Sequence, residues 1–142
     1  MNAFWSSWLK VWCWGVLAFG VVLATAALPG IDGLVRTLFV AFGGDAASFD
    51  LKAVRFGLGL QGALTIGWGL TLLPVVSHAH ALGPGIWRAL TAAVLVWYVI
   101  DSAISVQTGF ALNAVSNTLL TAAFLAPMVA GGALARSTTA SR

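Results

Sequence analysis

Residues 87–107 read WRALTAAVLVWYVIDSAISVQ. Past Arg88 at its mouth, this stretch carries one charged side chain, Asp101. A helix needs about twenty such residues to cross about 30 Å of hydrocarbon at about 1.5 Å per residue, and the stretch is long enough. Pro84-Gly85 precedes it and Thr108-Gly109 follows it, so turn formers bound it on both sides.

Three more runs of this kind flank it. Phe110–Leu134 follows with almost no linker, so the third and fourth spans are expected to form a tight antiparallel hairpin. Pro127 is expected to kink the fourth span near Phe124, and Arg136 to anchor its end. Upstream lies Phe56–Val76, FGLGLQGALTIGWGLTLLPVV, with Asp50 as its expected N-cap, Lys52 and Arg55 at its mouth and Pro74 near its end. The first run is Val11–Leu28, preceded by Trp5, Trp8 and Lys10 and closed by Pro29-Gly30. Ala24-Thr25-Ala26 resembles a signal-peptide cleavage site, but with Lys10 alone as a basic n-region the retained anchor is the better reading.

Ile31–Asp50 is too polar, and too interrupted by Gly43-Gly44, to cross a bilayer. Ile31, Leu34, Val35, Leu38, Phe39 and Phe42 recur at helical spacing, which predicts a short amphipathic helix over about residues 31–44 lying in the headgroup plane. The alternative is a lid folded over the mouth of the bundle. No repeat or heptad run divides the chain, and Ser137–Arg142 is expected to fray. The expected fold is an all-α integral membrane protein. It is a single domain over residues 1–142, a four-transmembrane-helix bundle with an interfacial amphipathic helix between helices 1 and 2.

Composition agrees. Of 142 residues, 60% are hydrophobic and 8% charged, against roughly 25% charged in soluble domains, which excludes a water-soluble globule. The net charge of +3 is spread over loops and helix ends without a basic cluster, so nucleic acid is not an expected partner. Lys10, Arg88, Arg136 and Arg142 fall on the side of the termini, against Arg36, Lys52 and Arg55 on the other. That slight bias points the termini to the cytoplasm, and a bacterial inner membrane is the expected residence.

Helices in lipid associate through close packing and interhelical hydrogen bonds. Gly59, Ala63, Gly67 and Thr71 repeat every fourth position in the second span, widened by Gly57, Gly62 and Gly69, and predict a smooth packing face. That face serves either intramolecular packing or self-association. A polar stripe runs along the third span through Thr91, Tyr98, Asp101, Ser105 and Thr108. Asn113, Asn117 and Thr121 match it on the fourth span, and Gln61 and Thr65 on the second. Alternating helix directions bring Gln61, Asp101, Asn113 and Asn117 to one depth, within roughly 5–10 Å of the non-terminal face. Arg55 lies on the same side, and its side chain is expected to snorkel in and pair with Asp101. This cluster is either a knot that fixes helix register or a pocket.

Other signals are weaker. His78 and His80 resemble a metal pair, but no nearby Cys, Asp or Glu completes a zinc set, and a solvated loop is expected. Cys13 reads as a small buried apolar residue, and most of the 7 tryptophans read as interfacial anchors, with Trp97 a candidate pocket wall. Ser77 and Ser102 have no elbow or partner spacing, and glutamate is absent, so catalysis is not the expected activity and no cofactor is predicted. The leading functional expectation is a non-catalytic module that acts through helix packing, as a homo-oligomer or an accessory subunit of a larger membrane complex. The alternative is a small binding or transport protein with an intramembrane pocket around Asp101 for a lipid-like or quinone-like ligand, an ion or a proton.

Overall fold

A computed structural model of the chain describes residues 1–78, 81 and 83–134. The described residues form five α-helices and no strand: α1 (Ala3–Ala24), α2 (Gly33–Ala41), α3 (Lys52–Ser77), α4 (Pro84–Gln107) and α5 (Ala111–Ala130). All but α2 are long and apolar enough to cross a membrane. Single 3-10 turns at Thr25–Ala27 and Ser48–Asp50 bracket the α2 region.

The helix bounds differ from the sequence reading where end signals were misassigned. α1 begins at Ala3, capped by Asn2, whose side chain accepts from the Trp5 N–H at 3.1 Å, so the Trp5 and Trp8 cluster is helical. α3 begins at Lys52 after Leu51, and Asp50 does not cap it, because both its carboxylate oxygens are taken by arginines. Thr108-Gly109 does turn the chain tightly between α4 and α5, with Gly109 at φ +88°. Arg136 and the Ser137–Arg142 tail lie outside the described residues.

Two helix pairs make up the fold, α1 with α3 and α4 with α5. Glycines allow the first to close. A Cβ at Gly20 would stand 2.9 Å from Ile66 N, and one at Gly62 would meet Ala24 N and stand 2.7 Å from Gly20 O. Gly69 is covered by Leu17 in the same way. The expected stripe through Gly59, Ala63 and Gly67 is therefore only partly a contact face within the chain. Gly59 touches Ala27, whereas Ala63 is exposed and nothing lies near the Cβ position of Gly67. The reason is angular. At about 100° per residue, steps of four rotate about 40° each time, so the stripe winds off the face that Gly62 and Gly69 hold.

The pairs join at their two ends. At the terminal end, Leu9, Trp12, Cys13, Val16, Leu72, Val76, Trp87, Val94, Phe124 and Met128 form one buried cluster. Pro127 has no N–H for the carbonyl of Ala123, four residues before it. The indole of Trp8 donates to that carbonyl at 2.8 Å, and Trp12 donates to Leu120 O at 2.9 Å, stitching α1 to α5. At the other end α2 lies across the gap. Val35 packs with Leu23, Ala26 and Phe49, while Phe39 meets Phe110 at 5.6 Å between ring centroids. Gly43, at φ +113°, approaches Gly109 so closely that a Cβ would stand 2.7 Å from its carbonyl oxygen. The apolar side of α2 thus turns into the protein. Val35 and Phe39 of this short helix pack on the protein, while Ile31 and Leu34 stay exposed.

The glycine contacts make a discriminating prediction for thermal melts in detergent. Gly62→Ala should destabilise by about 1–3 kcal/mol through overpacking against α1. Gly67→Ala should stay within about 1 kcal/mol of the parent, since it meets nothing and alanine favours the helix.

Candidate functional site

Between the two ends, the backbones of α3 and α4 scarcely approach each other. The rings of Trp68 and Trp97, 5.4 Å apart, reach across the gap. The remaining space is a cleft with two lobes of about 510 and 620 Å³. Both lobes are lined by Phe19, Phe42, Gln61, Trp97, Asp101 and Asn113, so these six residues mark their junction. Three are polar and three aromatic.

Asp101 is the only acidic residue in the four long helices. Its Oδ1 accepts from Asn113 Nδ2 at 2.9 Å and from Asn117 Nδ2 at 2.8 Å, and shares the single hydrogen of Ser105 Oγ, 3.2 Å away, with the Asp101 backbone carbonyl at 2.7 Å. Asn113 uses its second amide hydrogen on Ser105 Oγ at 2.8 Å. Helix periodicity builds this set. Ser105 sits one turn after Asp101, and Asn113 and Asn117 one turn apart on the facing helix. Among the described residues Oδ2 takes no hydrogen bond, although Asp101 lines the cleft. The carboxyl group is thus solvated by fixed neutral dipoles rather than by a counter-ion.

The expected Arg55–Asp101 pair does not form. Arg55 Nη2 lies 2.6 Å from Asp50 Oδ1 and 2.7 Å from Asp32 Oδ2, and Nη1 donates to Ala26 O at 2.8 Å. Matching depth was not enough, because Arg55 and Gln61 stand about 120° apart around α3 and only Gln61 faces the cleft. Arg36 completes the ionic group with a two-pronged contact to Asp50 at 2.6 and 3.0 Å. Both guanidinium groups lie over the buried Phe49 ring, 4.3 and 4.9 Å from its centroid. Two cations and two anions thereby clasp α2 and both connecting loops to the start of α3.

Tyr98 is also placed elsewhere than expected. It lies about 60° round α4 from Asp101, toward α5, and its hydroxyl pairs with Thr118 Oγ1 at 3.1 Å. Of the remaining stripe residues, Thr108 and Thr65 line the cleft, while Thr91 and Thr121 bury hydroxyls that have no partner among the described residues. Arg88 is at the far end, donating to Leu134 O at 3.0 Å. His78 closes α3 with Nδ1 2.9 Å from Pro74 O, and His80 lies outside the described residues. Among the described residues no group of three or more His, Cys, Asp or Glu could hold a metal ion. Sequence reasoning missed the walls supplied by Phe19 of α1 and by Leu38, Phe39 and Phe42 of the α2 region. Their amphipathic spacing was visible, but not which surface they would face.

Comparison of the chain with protein-family models, curated sequences and solved structures finds no match.

The ionic clasp carries a pH dependence. Hydrogen bonds from Arg36 and then Arg55 hold the Asp50 carboxyl down at about 2, and Arg55 holds that of Asp32 below the ordinary range. With folded values below the ordinary value of about 4, their contribution is complete above that pH and is lost as pH falls toward about 2. Hydrogen exchange should therefore show the amides of Leu38–Phe42 losing protection over that interval while those of Leu9–Val16 keep theirs. Equal loss in both segments, or none in either, contradicts the clasp.

Proposed function

We propose that this chain is an integral membrane protein that binds an amphipathic small molecule in the cleft. The polar end would sit at Asp101, Gln61 and Asn113, and the apolar body in the two lobes. The observation that carries this reading is the junction itself. A carboxyl group with an oxygen that has no hydrogen-bond partner among the described residues stands where two lobes of drug-like size meet between aromatic walls. A register-fixing knot would use up its polar atoms within the protein, whereas Asp101 Oδ2 takes none of the hydrogen bonds given to the carboxyl group.

Membrane insertion is supported by the outer surface, where Val11, Phe56, Leu64, Val99, Leu119 and Val129 are each more than half exposed. The residence we propose is a bacterial inner membrane. We propose that the terminal end faces the cytoplasm, on the slight excess of Lys10, Arg88, Arg136 and Arg142 over Arg36, Lys52 and Arg55, with α2 and the clasp on the opposite side. A lipid-like or quinone-like ligand entering from the bilayer would reach the cleft between α3 and α4.

A second reading is favoured by the outward-facing Ala63 and Gly67. These small residues give another helix a place to lie close, as in a homo-oligomer or an accessory subunit of a larger membrane complex. Gly67→Cys should crosslink to a second copy or a partner in native membranes if that reading holds, and stay uncrosslinked if the face meets only lipid.

The binding reading is tested by gentle extraction followed by mass spectrometry of whatever copurifies. Wild type should carry a stoichiometric amphiphile, and Asp101→Asn, with an unchanged melting temperature, should retain about tenfold less, matching the loss of one charge-assisted hydrogen bond. Equal retention by both proteins, or wild type free of any small molecule, overturns it.

A further inference from the structure

The charge at the junction narrows the chemistry of the occupant. No basic side chain lies within 4.0 Å of Asp101 among the described residues, whose ion pairs all join Arg36 and Arg55 to Asp32 and Asp50. Arg88 is committed at the other end of α4, and neither Lys10 nor Lys52 lines the cleft. Among the described residues the cleft therefore holds one acidic group and no basic one.

The neighbouring donors are already engaged. Asn113 and Asn117 direct their amide hydrogens at Asp101, Ser105 and Ser102, and Ser105 Oγ donates back to Asp101 O at 2.7 Å. The side-chain amide of Gln61 and the indole N–H groups of Trp68 and Trp97 are the lining donors that have no protein acceptor among the described residues, so the sign of the charge rather than the donor count decides the occupant. An anionic headgroup would meet Asp101 as a like charge in a low-dielectric space, which is unfavourable. A cation meets the opposite situation. It gains the unsatisfied Oδ2 in a cleft whose lining includes the aromatic side chains of Phe19, Phe42 and Trp97, whose ring quadrupoles attract positive charge.

We infer that the cleft selects an organic cation, a protonated or quaternary amine carrying an apolar body, with its positive centre at Asp101. This rests on the proposal that the cleft binds an amphiphile, and adds the sign of its charge. The ammonium replaces the counter-ion that Arg55 does not provide, and the apolar body lies in the lobes between α3 and α4.

The test uses three probes with the same chain: dodecyltrimethylammonium, dodecanol and dodecanoate. Each is titrated into the full-length protein in phosphatidylcholine vesicles, with the fluorescence of Trp68 and Trp97 as readout. On wild type the cation should bind about tenfold more tightly than the alcohol, and the anion more weakly than either. Asp101→Asn should weaken the cation more than the alcohol and bring the two to within about twofold of each other. The comparison on wild type stands by itself if that variant fails to assemble. Equal binding of cation and alcohol by wild type, or tightest binding of the anion, overturns the charge selection and leaves the cleft proposal standing. If none of the three changes the fluorescence, both fail.

Discussion

The hydrogen bonds from Asn113, Asn117 and Ser105 to one oxygen of Asp101 are the constraint on which the rest of this structure turns. A carboxyl group deep in an apolar helix is costly unless something stands in for water. An arginine counter-ion would have closed the site and locked α3 to α4. Three neutral dipoles from α4 and α5 do the stabilising instead, so α3 is under no obligation to approach. The cleft follows from that choice of partner.

Freed from Asp101, the two arginines take a structural role. Arg36 and Arg55 bind Asp32 and Asp50 over the Phe49 ring, and the balanced set of two cations and two anions holds α2 across the open end. The opposite end is closed by different chemistry. There the indoles of Trp8 and Trp12 donate to backbone carbonyls of α5, one of them released by Pro127, and a dry cluster forms around Trp12 and Phe124. With both ends tied and the middle of α3 and α4 apart, space for a ligand is a product of topology rather than of poor packing.

Much of this was legible in the sequence, for identifiable reasons. The long helices announced themselves by length and hydropathy, and Asp101 with Asn113 and Asn117 by spacing of four and by matched depth. What failed was azimuth. Depth put Arg55 beside Asp101, stripe spacing put Tyr98 in the same cluster, and the repeat of four through Ala63 and Gly67 did not tell whether it would meet α1 or point outward. Each is a matter of rotation about a helix axis, and one-dimensional spacing constrains rotation only when the partner helix is known. The aromatic walls were hidden for a related reason. Periodicity showed that Leu38, Phe39 and Phe42 share a side of α2, but an apolar side looks the same whether it faces headgroups or a protein cavity.

The pairing of Asp101 is open to direct observation in lipid by solid-state NMR on uniformly ¹³C,¹⁵N-labelled protein. Cross-peaks should join the side-chain nitrogens of Asn113 and Asn117 to the Asp101 carboxyl carbon, and the Arg55 guanidinium nitrogens to those of Asp32 and Asp50. A cross-peak from the Arg55 guanidinium to the Asp101 carboxyl would show a closed, self-neutralised cluster and would contradict the account at its root.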